Sequence, residues 1–353
     1  MNPLAGIGGR LALKGSDDRA LVDAALAAGS TPVAAERTRV ALAALDPAAT
    51  LLAAGGAMGA DLAGTAVTDA RASTTADDTR AAARALVEAG VDLLLFAGGD
   101  GTAVDILDAV GDRVPVIGIP AGVKMHSAVF GVTPRRAGEL ADAFLHGRVA
   151  RTAPAEVMDV DEADLRAGTI SPRLHGYLRV PVARALVQGG KARTAPAEAS
   201  AQAAIAAHVV DRLLGEGPVL VGPGTTTAAI MTALGLHKSV LGIDVIAGGR
   251  LVLPDVDEEE LLRFATPAAR VIITPVGGQG FLLGRGNQQL SPRVLRAIGI
   301  DRIAIVATVA KLAALGGRPL LVDTGDTQLD EELTGYRRVV TGYGHETVYR
   351  IGN

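Results

Sequence analysis

The chain has 353 residues and a formal net charge of −4, too long for one typical core and suited to two domains of about 150 residues each. Its 34 lysines and arginines are scattered among 38 acidic residues, which argues against a nucleic-acid footprint. With no cysteine or tryptophan, disulfides and thiolate metal sites are excluded and a cytoplasmic setting is expected; the mean hydropathy of +0.32 comes from dispersed Ala, Leu and Val, so no membrane partner is expected either.

In chain order, Asn2-Pro3-Leu4-Ala5-Gly6-Ile7-Gly8-Gly9-Arg10 is a glycine-rich loop of the kind that hangs from a strand, yet no apolar strand precedes Asn2. The expectation is a start upstream of Met1 or a sheet short of one strand. Ser16 can cap a helix through Ala28, and Thr31-Pro32 opens a second through Leu45. Thr50 to Ala54 and Thr65 to Thr68 read as short strands. Thr75, with Asp78 three residues on, caps a helix to Glu88 that stops at Gly90. Val91 to Ala97 is an apolar run suited to a strand buried on both faces, and Gly98-Gly99-Asp100-Gly101-Thr102 turns it into a helix ending at Val110. Pro115 to Pro120 is another strand, Ala121 to Ser127 a polar loop, and Pro134 to His146 a helix. This alternation specifies a parallel sheet covered on both faces.

The texture changes near Arg148, so the expected domains are 1–148 and 149–353, with the option of a tail that returns to the first. Glu156 to Val182 reads as strand-like pieces carrying the acidic cluster Asp159, Asp161, Glu162 and Asp164; Gln188 to Pro196 reads as a loop. A helix from Ser200 to Leu214 and a strand from Pro218 to Val221 lead into Gly222-Pro223-Gly224-Thr225-Thr226-Thr227, which opens another helix. Strands are expected at Ser239 to Ile246, Arg270 to Thr274, Arg302 to Ala307 and Pro319 to Val322, with a glycine-rich insert from Pro275 to Asn287.

The turn around Asp100 leaves two readings open. A helix N-terminus and glycines invite a phosphate, and a carboxylate there would repel it unless it served a substrate hydroxyl or a hydrated metal; alternatively Asp100 simply caps a tight turn. Gly235-Leu236-His237-Lys238-Ser239 lacks the spacing of a P-loop, and no G-x-G-x-x-G is present. The hydroxyls of Thr102 and Thr225 to Thr227 suit phosphates or ribose, which makes nucleotide binding the best class. His126, His208, His237 and His345 lack i, i+4 partners and read as packed or surface histidines rather than metal ligands. The run Asp255 to Glu260 reads as the acidic first turn of a helix.

The string GGDGT after a buried strand resembles the signature of the NAD kinase superfamily, which includes diacylglycerol and sphingosine kinases and, more distantly, phosphofructokinases. Asn2-Pro3, Gly122-Val123-Lys124-Met125, Val221 to Thr227, Thr274 to Gly280 and Gly284 to Gln289 together resemble its ATP-NAD kinase-like branch that contains the AcoX proteins. The resemblance implies an α/β protein: an N-terminal phosphofructokinase-like parallel-sheet domain and a C-terminal β-rich domain, with ligand between them. It implies ATP and Mg2+, a small-molecule nucleotide acceptor such as NAD (a role in NADP biosynthesis), and a homo-oligomer, dimer or tetramer. Asp100 is then the catalytic aspartate beside the acceptor hydroxyl; Asn2, Gly98, Gly99, Gly101 and Thr102 shape the nucleotide turn. Gly224, Thr225, Thr226 and Thr227 stand where the family has a Pro-Thr-Gly-Ser-Thr turn, in altered order. Asp161-Glu162 stands where NAD kinases have Asn-Glu, a change that weakens NAD itself as acceptor because a carboxylate offers acceptors only. Lys124, Gly278 and Arg285 complete the expected nucleotide contacts, Arg285 toward the triphosphate. Two rivals stay open: a kinase of the same fold acting on a sugar phosphate or nucleoside, and a non-catalytic nucleotide-binding regulator.

Overall fold

Side-chain caps start two helices of the first half, at Thr75 and Thr133, whereas the helix expected from Thr31-Pro32 starts at Ala34 on an uncapped Val33 and Ser16 lies outside the described residues. Thr75 and Asp78 form a reciprocal capping box, the Thr75 side chain accepting from the Asp78 N–H and the Asp78 carboxylate from the Thr75 N–H. The helix Ala76–Glu88 follows; Pro134–Leu145 opens on Thr133, whose side chain accepts from the Arg136 N–H, with Pro134 in its first turn. In the computed structural model all residues are described except 12, 14–18, 28, 124, 161–171, 184–195, 216, 240, 277–278 and 353. The chain divides into two units, residues 1–8 with 14–190 and residues 9–13 with 191–353.

The first unit runs α1 (Arg19–Ala27), α2 (Ala34–Leu42), β1 (Leu52–Ala53), β2 (Thr65–Ala66), α3 (Ala76–Glu88), β3 (Leu94–Gly98), α4 (Asp100–Val110), β4 (Val116–Pro120), α5 (Pro134–Leu145), β5 (Thr152–Val160) and β6 (Pro172–Pro181). β1 pairs with β2 and β3 with β4, both parallel; β5 and β6 form an antiparallel ribbon. Among the described residues no strand joins the β1–β2 pair to β3, and a cavity of about 290 Å3 is lined from both, by Leu52, Ala53, Leu94 and Phe96 together with Met58 and Leu86. The first unit extends to residue 190, past the position 148 at which the sequence changes texture. Ala155 and Val157 of β5 and Leu178 and Val180 of β6 are buried in one cluster with Phe96, Ile106, Val116 and Phe130, so the ribbon's apolar face completes the core of the first unit.

The second unit contains α6 (Pro196–Arg212), β7 (Val219–Val221), α7 (Thr225–Ala233), β8 (Asp244–Ala247), β9 (Arg250–Leu253), α8 (Glu258–Leu262), β10 (Arg270–Ile273), β11 (Phe281–Leu283), α9 (Pro292–Ile298), β12 (Ile303–Val306), α10 (Val309–Ala313), β13 (Leu320–Val322), α11 (Thr327–Leu333), β14 (Gly335–Gly342) and β15 (His345–Gly352). Its nine-stranded sheet has the order β11-β13-β15-β14-β12-β10-β7-β8-β9. β7, β10, β12 and β14 are mutually parallel neighbours, while β14–β15 and β7–β8–β9 are antiparallel. Both faces are covered: Leu220, Val271 and Ile273 pack with Leu295, Leu312 and Leu329, and Val219, Val221 and Ile272 pack with Ile205, Ile230 and Met231. The tail thus ends in the sheet of the second unit. No described helix is long and apolar enough to cross a membrane.

Between α3 and α4, Arg80 reaches Asp105 as well as Asp77. Burial pushes the Asp105 carboxyl up to about 6, and Asp108 adds to the rise while Arg80 opposes it. A carboxyl raised in the folded state stabilises most below its unfolded value and loses that contribution as the pH climbs through 6. Asp105→Asn is therefore expected to raise stability at pH 7 by about 1–2 kcal/mol and to flatten the decline between about pH 4 and pH 7; urea unfolding across that range measures both.

Candidate active site around Asp100

β3 and β4 are adjacent and parallel, with Gly98 beside Pro120, so the turns that leave their C-terminal ends meet at one edge of the sheet. The Ala121 and Gly122 N–H groups both donate to the Gly98 carbonyl at 3.0 Å. A Cβ on Gly122 would sit 2.7 Å from the Gly99 Cα, and one on Gly98 would sit 2.3 Å from the Thr102 Oγ1. Gly98 and Gly122 serve close approach; Gly98, Gly99 and Gly101 are not among the residues with positive φ. Gly101 is exposed, with open space where a Cβ would be.

Asp100 opens α4 and is 7% exposed. Oδ1 accepts from the Ser127 N–H at 3.0 Å and the Ser127 Oγ at 2.6 Å; Oδ2 accepts from the His126 N–H at 2.6 Å and faces the His126 Nδ1 at 3.2 Å. Ser127 also accepts from the Met158 N–H at 3.0 Å, which ties the loop to β5, and its single hydroxyl proton is best used on the charged carboxylate. The cap reading of Asp100 is not what the geometry shows. The N-cap is Gly99, without a side-chain cap, and the carboxylate turns to the neighbouring loop instead of its own helix.

Asn2 joins this edge through its N–H on the Ala97 carbonyl at 2.8 Å, with its Nδ2 3.5 Å from the Thr102 Oγ1. Thus Asn2, Gly98, Gly99, Asp100, Gly101 and Thr102 lie together in the first unit. His126 and Ser127 lie with them, although the histidine reads from the sequence as a packed or surface residue and Ser127 carries no motif. Gly224, Thr225, Thr226 and Thr227 lie in the second unit at the start of α7. Gly224 has φ +127° and a Cβ there would sit 2.5 Å from the Thr274 Cγ2; Thr226 and Thr227 are fully buried and Thr225 is exposed. Lys124, Asp161, Glu162 and Gly278 lie outside the described residues. Arg285 lies in the second unit, 4% exposed, stacked 4.4 Å over the Phe281 ring and with its Nε 3.6 Å from Asp323 Oδ2. His208 is half-buried, accepting from the Gly344 N–H at 3.1 Å and meeting Tyr343 edge-on.

Among the described residues no three His, Asp or Glu side chains gather as a metal site. Both Asp100 oxygens are already engaged by the 126–127 loop, so the described side chains do not form a protein-held site for a divalent ion.

Gly101→Val tests what the turn is for. With open space at the Cβ position it is expected to leave the melting temperature within about 2 °C while weakening nucleotide binding, because the branched side chain blocks approach to the helix start. Gly98→Val, forced against Thr102, is expected to destabilise by about 1–3 kcal/mol. Calorimetric melts with nucleotide titrations separate the two.

Two family models match the chain: the ATP-NAD kinase N-terminal domain over residues 20–149 and the ATP-NAD kinase C-terminal domain over residues 216–351. No curated protein and no solved structure matches it significantly. The N-terminal match contains the whole Gly98 to Thr102 turn and the loop that holds Asp100, and the C-terminal match contains the Gly224 to Thr227 turn and nearly all of the nine-stranded sheet. The chain belongs to the ATP-NAD kinase family.

Proposed function

We propose that the protein transfers the γ-phosphoryl group of ATP, carried as its Mg2+ complex, to a hydroxyl of NAD or a related nucleotide-like acceptor. The observation that carries this reading is the buried carboxylate of Asp100 at a glycine turn where a helix starts, held by loop donors and not by its own helix. Of its four contacts the His126 imidazole is the longest, 3.2 Å from Oδ2. An acceptor hydroxyl that replaces the ring at that oxygen gives up its proton to Asp100 as its oxygen bonds to the γ-phosphorus and ADP departs. Catalysis is then positioning and charge stabilisation, with no covalent enzyme intermediate.

The Asp161-Glu162 pair favours a second acceptor class within the same chemistry, a nucleoside or sugar phosphate, since a carboxylate in place of an amide removes a donor. A non-catalytic regulator is disfavoured by the buried negative charge at Asp100, which costs binding energy for a phosphate ligand. A panel of NAD, NADH, nucleosides and sugar phosphates assayed for ATP consumption tests the reading. ADP release that depends on one acceptor supports it; ATP bound but never consumed supports the regulator.

A further inference from the structure

β7, β10 and β12 are adjacent and parallel, so the segments that follow them emerge at one edge of the second unit's sheet. These segments carry Thr225 and Thr226, Thr274, and Thr308 with Lys311. Thr308, fully buried, accepts from the Lys311 N–H at 3.2 Å and donates to the Glu198 Oε1 at 2.5 Å, which fixes the start of α10. From there the Lys311 ammonium reaches across the edge and donates to Thr226 Oγ1 at 3.2 Å and Thr274 Oγ1 at 3.1 Å. On the other side Gln202 Nε2 donates to Thr225 Oγ1 at 3.1 Å.

The direction of these bonds decides what the cluster lacks. A hydroxyl that accepts keeps its own proton to donate. Thr225, Thr226 and Thr274 each accept from Gln202 or Lys311, so three hydroxyl protons remain for a ligand. Thr227 is different, because its hydroxyl already donates to the Gly224 carbonyl at 2.8 Å. The ammonium lies against Thr226, in the opening turn of the nine-residue α7, where the helix itself presents positive charge. Glu198, at the start of α6, accepts from the Thr308 hydroxyl. Hydroxyl protons, an ammonium and helix N–H groups gathered at one sheet edge are complementary to an oxyanion with several oxygens; Thr225 is exposed there, while Thr226 and Thr274 lie buried behind it.

We propose that Lys311, Thr225, Thr226 and Thr274 bind an oligophosphate group, with Gln202 and Thr308 as positioning residues. The proposal rests on the kinase reading for the nucleotide that carries the group, and on the donor arrangement alone for the phosphate chemistry. The oligophosphate has two sources in that reading, the donor's triphosphate and a dinucleotide's pyrophosphate, and separate titrations tell them apart.

Isothermal titration of tripolyphosphate, ATP, NAD and adenosine into the wild-type chain, Lys311→Met, Lys311→Arg and Thr225→Val tests it. Lys311→Met is expected to weaken tripolyphosphate by about 10–100-fold, Lys311→Arg to restore part of the loss, and adenosine to bind all forms alike. Whichever of ATP and NAD weakens in parallel with tripolyphosphate names the source. If Lys311→Met does not fold by its melting profile, Lys311→Arg and the exposed Thr225→Val carry the comparison. The proposal is overturned if the wild type does not bind tripolyphosphate, if the folded variants bind it within about twofold of wild type, or if adenosine weakens equally. A chain that consumes no ATP but shows the Lys311-dependent tripolyphosphate signal sinks the kinase reading alone; active turnover with unaltered binding in Lys311→Met sinks this proposal alone.

Discussion

Asp100→Asn is expected to lower turnover by about 10²–10⁴-fold while ATP affinity holds or improves. The rate falls because an amide cannot take the acceptor's proton; the affinity holds because a negative charge near the donor's phosphates has been removed. The geometry adds a cost that a simple cap would not show. Both carboxylate oxygens face N–H donors, from His126 on one side and Ser127 on the other, so either orientation of the amide sets its own NH2 group against one of them. A loss of about 1–3 kcal/mol is therefore expected, whereas an N-cap aspartate tolerates asparagine without loss. Kinetics should be taken well below the variant's melting temperature. Ser127→Ala removes one donor to Oδ1 but leaves the proton acceptor, and its turnover is expected to stay within about tenfold of wild type.

The largest effect on stability is expected in the second unit, at Asp244→Ala. Asp244 is fully buried; its carboxylate pairs with Lys238 Nζ at 2.8 Å and accepts from Ser239 Oγ at 2.5 Å, Ser239 N–H at 2.9 Å and Asp255 N–H at 2.9 Å. Burial by itself would raise its pKa, but Lys238, Ser239 and Asp255 outweigh it and hold the carboxyl below its ordinary value. Truncation leaves the buried Lys238 ammonium without its counter-charge, at a cost of about 3–5 kcal/mol. The sign of the pH effect follows: a depressed carboxyl contributes fully above its unfolded value of 3.8 and loses that contribution as the pH falls through the folded value. Chemical denaturation of Asp244→Ala and the wild type at neutral and acidic pH should show the gap closing toward acid.

Local signals in the sequence carry much of the first unit. The Thr75–Asp78 capping box, the β3 turn and the β4 run are found within a few residues of their expected positions because caps, glycines and short apolar runs act within one turn of chain. What depends on distant partners is less legible. The β5–β6 ribbon reads as the start of the second domain, since the sequence does not show which core its apolar face will complete. β9 and the β14–β15 hairpin escape notice because most of their residues are exposed or half-buried and several are charged, as edge and solvent-facing strands are. The acidic run near Asp255 is legible, with Asp257 and Glu260 forming a capping box at α8.

The site divides in the same manner. Gly98 to Thr102 declares itself as a motif, but His126 does not, because i, i+4 spacing tests only partners on one helix. Its nearness to Asp100 comes from the parallel pairing of β3 with β4, and placing those two strands side by side is the signal that would have found it. Lys238, set in a run that falls short of a P-loop, proves to be the partner of Asp244. Arg285 looks from its glycine-rich surroundings like a loop cation, yet Gly284 lies so close to the Asp323 carbonyl, 1.8 Å from where a Cβ would be, that the loop folds inward and takes the arginine with it.

Phosphorus NMR of the protein mixed with ATP, Mg2+ and NAD tests the central claim most directly, with the acceptor panel substituted in turn for NAD. The account predicts a new phosphomonoester resonance on one acceptor, growing in step with ADP and lost in Asp100→Asn. ATP that stays intact with every acceptor, or a phosphomonoester formed equally fast by Asp100→Asn, would contradict it.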